Sequence, residues 1–277
     1  MSTDEGFKYS VLMSVYQNET AEHLKSAMDS MWNQTIPTND FVLVCDGPLT
    51  PSLDRVVELM EYDHPHRLHV VRLKENHGLG YALAIGLKKC KNDLIARMDS
   101  DDESRLDRCE KQLNVFKNNP QISICSGTIE EFISDKQQII SRRILPETQE
   151  QIEFFMKSRN PFNHVAVMYR KQAVIEAGNY QSFYFLEDYY LWIRMIRNGS
   201  KGYNIPDPLV WVRIGEGMYR RRGGCKYIFS QIKLFKYMYD NKLITFIDYC
   251  KNILIRLISG ALPAWFRQRL YMRYNRK

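Results

Sequence analysis

The chain has 277 residues, 44% of them hydrophobic and 26% charged, a composition typical of a folded globular protein and not of a disordered one. Its six cysteines form no C-x-x-C pair, which argues against a zinc ribbon or a secreted disulfide scaffold and favours a reducing compartment. No secretory signal and no run of 18 or more apolar residues is visible, so we expect a cytoplasmic protein without a membrane-spanning helix.

The net charge of +7 is unevenly distributed. From Tyr219 onward the sequence has 14 lysines and arginines and two acids, a net charge of +12, whereas residues 1–218 have a net charge of −5. A basic segment of this kind predicts a polyanionic partner, which is either nucleic acid or an anionic membrane surface.

The first hundred residues alternate between predicted strands and predicted helices. Helices are predicted after Thr20, after Thr50 and over Gly78–Cys90, each with apolar residues at helical spacing. The alternation with short loops predicts an α/β fold, with a mostly parallel sheet flanked by helices. The predicted strands are Tyr9–Tyr16, Phe41–Cys45, Leu68–Leu73 and Asp93–Met98.

After residue 102 this alternation ends. Ser104 is predicted to cap an amphipathic helix, and strand-like segments lie between Ile122 and Leu145. Beyond Gly215 the chain is predicted to be helical, basic and aromatic. The elements predicted in between are a helix over Glu147–Lys157, a strand over Val165–Tyr169, helices over Arg170–Ala177 and Leu186–Arg197, and a strand over Leu209–Ile214.

Three carboxylates, Asp99, Asp101 and Asp102, follow the fourth predicted strand within four residues. Carboxylates this close repel one another unless a cation lies among them, and oxygen ligands suit Mn²⁺ or Mg²⁺. Ligands of open parallel sheets bind beyond the carboxyl ends of the strands, which is where this cluster falls. The alternative is a solvated acidic turn that caps the following helix.

Other motifs carry weaker signals. Glu187 and Asp188 begin a predicted helix, where one could act as a general base, or both could be helix-start acids without chemistry. Gly78-Leu-Gly80 lacks the third glycine of a dinucleotide fingerprint and follows the third strand, not the first. His164 begins a predicted strand and is more often structural than a ligand. The arginines of Arg220–Gly224 could bind phosphate through their forked guanidinium groups, or the segment could be an exposed basic loop without a ligand.

Together these segments, from about Tyr9 to Gly224, resemble family 2 glycosyltransferases of the GT-A fold, in particular those of bacterial capsule, exopolysaccharide and O-antigen assembly. Asn76–Gly86 is similar to the family's N-x-G-x-x-x-A-x-N-x-G segment, with Ala84 in place of the usual Asn. The other matching motifs are Ser14–Glu19, Asp46-Gly47, Asp99–Asp102 and Glu187-Asp188. Where the family commonly has an Asp-Asp pair, this chain has Cys45-Asp46, which leaves one acid to bind the nucleobase.

The resemblance implies a role for each residue. Ser14, Tyr16 and Asp46 would hold the nucleoside, with Tyr16 stacking on uracil and Asp46 accepting from it. Asp99 would contact the ribose, Asp101 would hold Mn²⁺ or Mg²⁺ with Asp99, and Asp188 would deprotonate the acceptor in an inverting displacement. The implied nucleotide-sugar site comprises Ser14, Tyr16, Glu19, Asp46, Asn76, Gly78, Asp99 and Ser100. The implied acceptor or diphosphate contacts are Asp102, His164, Glu187, Arg221 and Arg222.

The resemblance therefore predicts transfer of a hexose, galactose or glucose being favoured, from a UDP-sugar to a polyprenyl-diphosphate-linked saccharide. Residues 1–218 would form the catalytic domain, divided into a nucleotide-sugar half (1–102) and an acceptor half (103–218), and 219–277 a basic loop and helical extension. That extension interleaves charges with apolar residues, which suits a membrane surface better than nucleic acid. We therefore expect a peripheral protein on the inner face of the membrane that binds no nucleic acid.

Three alternatives remain open. A metal-dependent nucleotidyltransferase or phosphohydrolase would use Asp101 and a basic loop, but no second acid or histidine cluster is spaced to supply its further metal ligands. A nucleic-acid-binding protein would use the basic tail but leaves the acidic cluster unexplained. Finally, the apolar residues of the tail could pack on the catalytic domain while its charges face water.

Overall fold

One mixed β-sheet organises the protein in the computed structural model, which describes residues 8–215 and 224–261. The strands are β1 (Tyr9–Val15), β2 (Asp40–Cys45), β3 (Leu68–Arg72), β4 (Leu94–Asp99), β5 (Glu103–Ser104), β6 (Ile122–Phe132), β7 (Ser141–Arg143), β8 (Met168–Arg170) and β9 (Lys201–Arg213). The helices are α1 (Ala21–Trp32), α2 (Pro51–Asp63), α3 (Leu79–Lys89), α4 (Arg108–Asn118), α5 (Gln149–Met156), α6 (Lys171–Glu176), α7 (Glu187–Arg197), α8 (Cys225–Asp240) and α9 (Phe246–Ala261).

The strands lie in the order β3-β2-β1-β4-β8-β6-β9-β5, and β7 pairs with β6. The four strands of the first hundred residues are parallel, as the sequence predicts, with β1 between β2 and β4. The second half adds antiparallel pairs of β8 with β4 and β6, although β6 and β9 run parallel. The carboxyl ends of β1, β2 and β4 therefore meet at one edge of the sheet.

Helices cover both faces of the sheet. Successive side chains of a strand point to opposite faces, and here both sets are apolar and need to be buried. Val11 and Met13 of β1 pack in the cluster with α1, α2 and α4, whereas Leu12 packs in the cluster with α3, α6 and α7. A Cβ atom at Gly86 would lie 2.5 Å from Leu12 Cδ1, so glycine at this position lets α3 lie close against the sheet. The predicted α/β fold with flanking helices is confirmed.

The predicted caps at Thr20 and Thr50 are present: their hydroxyls accept from the backbone amides of His23 and Leu53 at 3.2 and 3.4 Å. The predicted cap at Ser104 is wrong. Ser104 lies in β5, which pairs with β9 and keeps the chain extended, so α4 begins only at Arg108.

Two further predicted boundaries are corrected by the structure. His164 does not begin a strand but a 3₁₀ turn, His164–Ala166, and β8 follows only at Met168. The last strand is much longer than the predicted Leu209–Ile214, because it begins at Lys201.

Two helices, α8 and α9, lie in the region beyond Gly215 that the sequence predicts to be helical, and they pack against α7. Leu234, Phe235 and Met238 of α8 lie in one buried cluster with Tyr189 and Ile193 of α7. In the described part of the chain, no helix combines the length and the apolarity that crossing a bilayer requires.

Candidate active site

Polar side chains gather where β1, β2 and β4 end. Ser14 lies in register with Val44 of β2 and with Asp99 of β4, so the last residues of the three strands are neighbours. Tyr16 follows β1 and is 36% exposed. The structure thus brings the predicted residues Ser14, Tyr16 and Asp99 to one edge, where an open parallel sheet binds its ligand.

Asp46, directly after β2, is buried and fully engaged with the loop that precedes α3. Its two carboxylate oxygens accept from the backbone amides of His77 and Gly78 at 2.8 and 2.9 Å. Asn76 closes the same contact by donating its side-chain amide to the Asp46 carbonyl at 3.1 Å. Gly78 adopts φ of +88°, which favours glycine, at the cap of α3. Asp46 therefore fixes the β3–α3 loop, and any contact with a base uses lone pairs left by these amides.

Glu19 links the loop after β1 to the acidic cluster after β4. One of its oxygens accepts from the backbone of Thr20 and contacts the His23 ring, and the other accepts from the Ser100 hydroxyl at 3.4 Å. The Glu19 charge also raises the pKa of Asp101, so the two carboxylates lie close together. The predicted residues Glu19 and Ser100 thus belong to the same cluster.

The three carboxylates after β4 form a compact group. One oxygen from each of Asp99, Asp101 and Asp102 lies within 4.8 Å of the others. Burial and the charges of Asp99 and Glu19 raise the pKa of Asp101 to about 7. Burial and the charges of its two neighbours hold the pKa of Asp102 well above its usual range. Ionising the whole cluster is therefore unfavourable without a compensating positive charge.

Part of that charge comes from the protein. The buried Arg97 guanidinium pairs with both oxygens of Asp99, and Asp102 accepts from the Arg213 backbone amide at 2.7 Å. Asp102 thus links β4 to the end of β9 and does not cap a helix. The remaining donor set, oxygen-only and crowded around Asp101, fits a hard divalent ion such as Mn²⁺ or Mg²⁺.

Glu187 and Asp188 begin α7 and form the second acidic group. One oxygen of Asp188 accepts from the Asn160 side-chain amide at 2.6 Å, and the other from the backbone amide of Tyr189 at 2.7 Å. Burial is the main cause that raises the pKa of both acids, to about 7 for Glu187. A hydrogen-bonded, half-buried carboxylate of raised pKa is suited to accept a proton near neutral pH.

Arg97 lies within electrostatic reach of both acidic groups. Burial raises the pKa of Asp101 and Asp102 on one side and that of Asp188 on the other, and the positive charge of Arg97 opposes part of the rise in all three. The fold therefore brings the two predicted acidic motifs together, although they are separated by some ninety residues of sequence. Gly80 supports this convergence, since a Cβ atom there would lie 3.0 Å from Glu187 Cγ and α3 approaches the start of α7 closely.

His164 is held in an aromatic environment. Its Nε2 lies 2.9 Å from the Tyr180 hydroxyl, and its ring meets Trp192 edge-on with the centroids 6.0 Å apart. Burial and the Arg97 charge hold the pKa of His164 well below its usual range, so the ring is neutral at neutral pH. A diphosphate contact through His164 would thus be a hydrogen bond from a neutral ring. Arg221 and Arg222, also predicted to contact the diphosphate, lie outside the described residues.

Two residues of the site were missed in the sequence. Arg97 stands beside the acidic motif but has no signal of its own, because its electrostatic effect on Asp188 depends on the tertiary fold. Asn160 precedes a proline, and its side chain accepts from the Phe162 amide at 3.2 Å, so the Asn-Pro dipeptide indicates the turn but not the contact with Asp188.

Comparison with known proteins gives a consistent result. The family model described as glycosyl transferase family 2 matches residues 10–182. The amylovoran biosynthesis glycosyltransferase AmsE of Erwinia amylovora is 36% identical over 263 residues, which cover 95% of this chain and 97% of AmsE. An Escherichia coli protein described as UDP-Gal:alpha-D-GlcNAc-diphosphoundecaprenol beta-1,3-galactosyltransferase is 33% identical over 276 residues, 99% of each chain.

Among solved structures, the mannosyltransferase PcManGT from Pyrobaculum calidifontis, in complex with GDP-Man and Mn²⁺, superposes with a TM-score of 0.65. The match covers 96% of this chain and 81% of that protein at 14% identity. At this identity the likeness concerns the fold, which is that of GT-A glycosyltransferases.

Proposed function

The chain belongs to glycosyl transferase family 2 and is a glycosyltransferase of polysaccharide biosynthesis, and we propose that it transfers a hexose from a UDP-sugar, with inversion and with a divalent metal ion. The observation that carries the proposal is the convergence of two acidic groups around Arg97. One group is suited to a cation and the other to a proton, which are the two needs of this reaction.

The donor site is proposed at the edge formed by β1, β2 and β4. Tyr16 offers an exposed ring for stacking on uracil, and Ser14, Asp46 and Asn76 hold the nucleoside beside it. Asp99, fixed by Arg97, faces the ribose, together with Gly78 and Ser100 nearby. Galactose or glucose is the favoured sugar, and the galactosyltransferase relative supports galactose.

Asp101 would hold the Mn²⁺ or Mg²⁺ ion, with Asp99 as the second carboxylate. When bound, the ion neutralises charge on the departing diphosphate, which is the usual contribution of a metal to such a displacement. By family resemblance, we propose that His164, Asp102 and the basic loop with Arg221 and Arg222 contact the same diphosphate or the acceptor.

Asp188 is proposed as the general base. It accepts the proton of the acceptor hydroxyl, whose oxygen attacks the anomeric carbon from the face opposite the diphosphate. The bond from that carbon to the diphosphate oxygen breaks, UDP leaves with the electron pair, and the anomeric configuration inverts. Asn160 orients the Asp188 carboxylate, and Glu187, next to α3, positions the acceptor.

The proposed acceptor is a saccharide linked through diphosphate to a polyprenol, as in the name of the galactosyltransferase relative. Because that lipid resides in a bilayer, we place the enzyme as a peripheral protein at the inner face of the membrane, with residues 219–277 as its membrane-associating extension.

A panel of sugar nucleotides incubated with Mn²⁺, scored by released nucleotide, tests the donor. We expect UDP-hexoses to be hydrolysed slowly, and faster transfer when the lipid-linked acceptor is added, with the opposite anomeric configuration in the product. Retention of configuration would contradict the single displacement. Turnover of a nucleoside triphosphate instead would favour the nucleotidyltransferase or phosphohydrolase alternative.

A further inference from the structure

Helix α9 turns two polar side chains, Asn252 and Arg256, inward and most of its large apolar side chains outward. Asn252 is only 5% exposed, and Arg256 is largely buried. The Asn252 amide donates to the Lys157 carbonyl at 3.0 Å, and the Arg256 guanidinium donates to the Ser158 carbonyl at 2.7 Å. The polar side of α9 is therefore used to attach the helix to the end of α5.

The opposite side of α9 carries a continuous apolar stripe, which we call the outer face of α9. Its members recur at the three- and four-residue spacing of one helix face. A surface helix normally turns its apolar side toward the core and its polar side toward solvent. A contiguous apolar patch that is exposed instead marks an interaction surface. The outer face comprises Phe246, Ile247, Cys250, Leu254, Ile255, Leu257 and Ile258, each exposed, with Phe246, Ile247, Leu254 and Ile258 more than half exposed.

Basic groups border this face. Lys251 lies on the same side of the helix. Hydrogen bonds from Thr245 are the main cause that lowers the pKa of Asp248, and the nearby charges of Lys157 and Lys251 act in the same direction. Lys242 is exposed in the connection between α8 and α9. In the sequence, residues 262–277 carry five further arginines and lysines and no acid.

We infer that the outer face of α9 inserts into the headgroup region of an anionic bilayer, with the surrounding lysines and arginines on the lipid phosphates. An amphipathic helix lying in the interface buries such a stripe, and each basic group near an anionic surface adds about 1 kcal/mol. The occupant is a lipid surface and not nucleic acid, because a nucleic acid would leave the apolar stripe in water. This inference deepens the proposed function, which supplies a lipid-linked acceptor.

The attachment also connects the bilayer to the catalytic pair. α8, which pairs with α9, packs on Tyr189 and Ile193 of α7, the helix that begins with Glu187 and Asp188. Docking through α9 would therefore hold the catalytic base at a fixed orientation to the membrane in which the acceptor lies.

The test is co-sedimentation of the full chain with phosphatidylethanolamine vesicles containing about one third phosphatidylglycerol. We expect the wild type to bind, and Leu254→Asp with Leu257→Asp to reduce binding at least about tenfold, since two leucines that would enter the bilayer are replaced by charges that the anionic surface repels. The matched control is Leu59→Asp with Leu106→Asp, leucines 52% and 58% exposed on other parts of the surface, which should bind as the wild type does. Equal binding by both double variants would overturn the inference.

A second measurement excludes misfolding and the other occupants. A polarity-sensitive fluorophore on Cys250, in a chain with the other exposed cysteine removed by Cys225→Ser, should shift to the blue when vesicles are added. If Cys250 is already protected from labelling in the vesicle-free protein, a second copy or the C-terminal segment covers the face, and the inference fails. Sedimentation velocity distinguishes those two outcomes.

The failure of this inference is separable from that of the proposed function, because neither vesicle binding nor fluorescence requires sugar transfer. If the protein transfers sugar to a detergent-dispersed acceptor but does not bind vesicles, the proposed function is supported and the inference about the outer face of α9 is wrong.

Discussion

The carboxylates of the two acidic groups are half-buried or buried, and the pKa values of Asp101 and Asp188, one from each group, are raised for partly different reasons. After β4, burial acts together with mutual repulsion, since Asp101 carries the added effect of the Asp99 and Glu19 charges. At the start of α7, burial dominates, and hydrogen bonds from Asn160 and from the Tyr189 amide stabilise the charged form of Asp188.

This difference indicates what each group requires. Repulsion among fixed carboxylates is relieved best by a cation shared between them, whereas desolvation of one carboxylate is relieved by a proton. This difference supports the proposal of metal binding at the β4 group and of proton transfer at the α7 group. Four substitutions test this assignment.

The largest effect is expected for Asp101→Ala, which should lose nearly all transferase activity and Mn²⁺ binding. Electron paramagnetic resonance of Mn²⁺ titrated in the presence of UDP measures binding independently of turnover. Asp107→Ala, at an exposed acid just before α4, serves as the control and should retain both. Tight Mn²⁺ binding by Asp101→Ala, or full wild-type activity in excess chelator, would remove the metal from the β4 group.

Asp188→Asn should keep Mn²⁺ and UDP affinity but lose roughly 10²–10⁴ in turnover, the range for a positioned general base. Glu187→Gln should lose less, because Glu187 is proposed to orient the acceptor. Single-turnover kinetics at saturating donor separates the two variants. If Glu187→Gln is the more damaging, the roles of the two acids are exchanged.

Asn160→Ala should have an intermediate effect that depends on pH. The Asn160 amide stabilises ionised Asp188, so its removal raises the pKa of Asp188, and the acidic limb of the rate profile should move to higher pH by about one unit. The loss would be about tenfold on that limb and small at alkaline pH. Asn114→Ala, an exposed asparagine of α4, should leave the profile in place. An equal loss at every pH would mean that Asn160 acts only through structure.

The smallest effect concerns stability. The pKa of Glu187 rises from 4.5 to about 7 on folding, so the folded protein is favoured while this group is protonated and loses that advantage as the pH rises through this window. Glu187→Gln escapes the loss and should gain about 1–2 kcal/mol relative to the wild type between pH 4.5 and 8.

Chemical denaturation at several pH values measures this gain. Because burial is the largest cause and repulsion from Asp188 a smaller one, most of the gain should persist at high salt, where interactions between exposed charges are screened. A gain that disappears with added salt would contradict the distinction between the two acidic groups.

The sequence predicted the first four strands and three helices well, because their apolar spacing and caps are local signals. β9 was underestimated since Pro206 and Pro208 interrupt its pattern. The structure accommodates them in an irregular stretch, where Gly127 and Thr128 of β6 pair with Ile205 and Pro208. β5 is only two residues long and exists through its pairing with β9, which no local pattern reveals.

In the site, the sequence singled out the strand-end residues and both acidic groups as candidates, since each motif lies at a position where a ligand is expected. The contacts of Asp188 with Asn160 and with the Arg97 charge were not predicted, because they join distant segments. The same limit applies to α9. Its composition predicted an amphipathic helix, but which side faces outward depends on where Asn252 and Arg256 find backbone carbonyls.

The engagement of Asp46 by the amides of His77 and Gly78 has a consequence for how the nucleotide is held. The amino end of a helix that follows a glycine loop is ordinarily an anion receptor, and many nucleotide-binding folds place a phosphate there. Here the protein supplies its own anion, because the Asp46 carboxylate accepts from the two amides that immediately precede α3. In the proposed mechanism, charge on the sugar-nucleotide is balanced instead by the divalent ion and by basic side chains, where other folds use a helix.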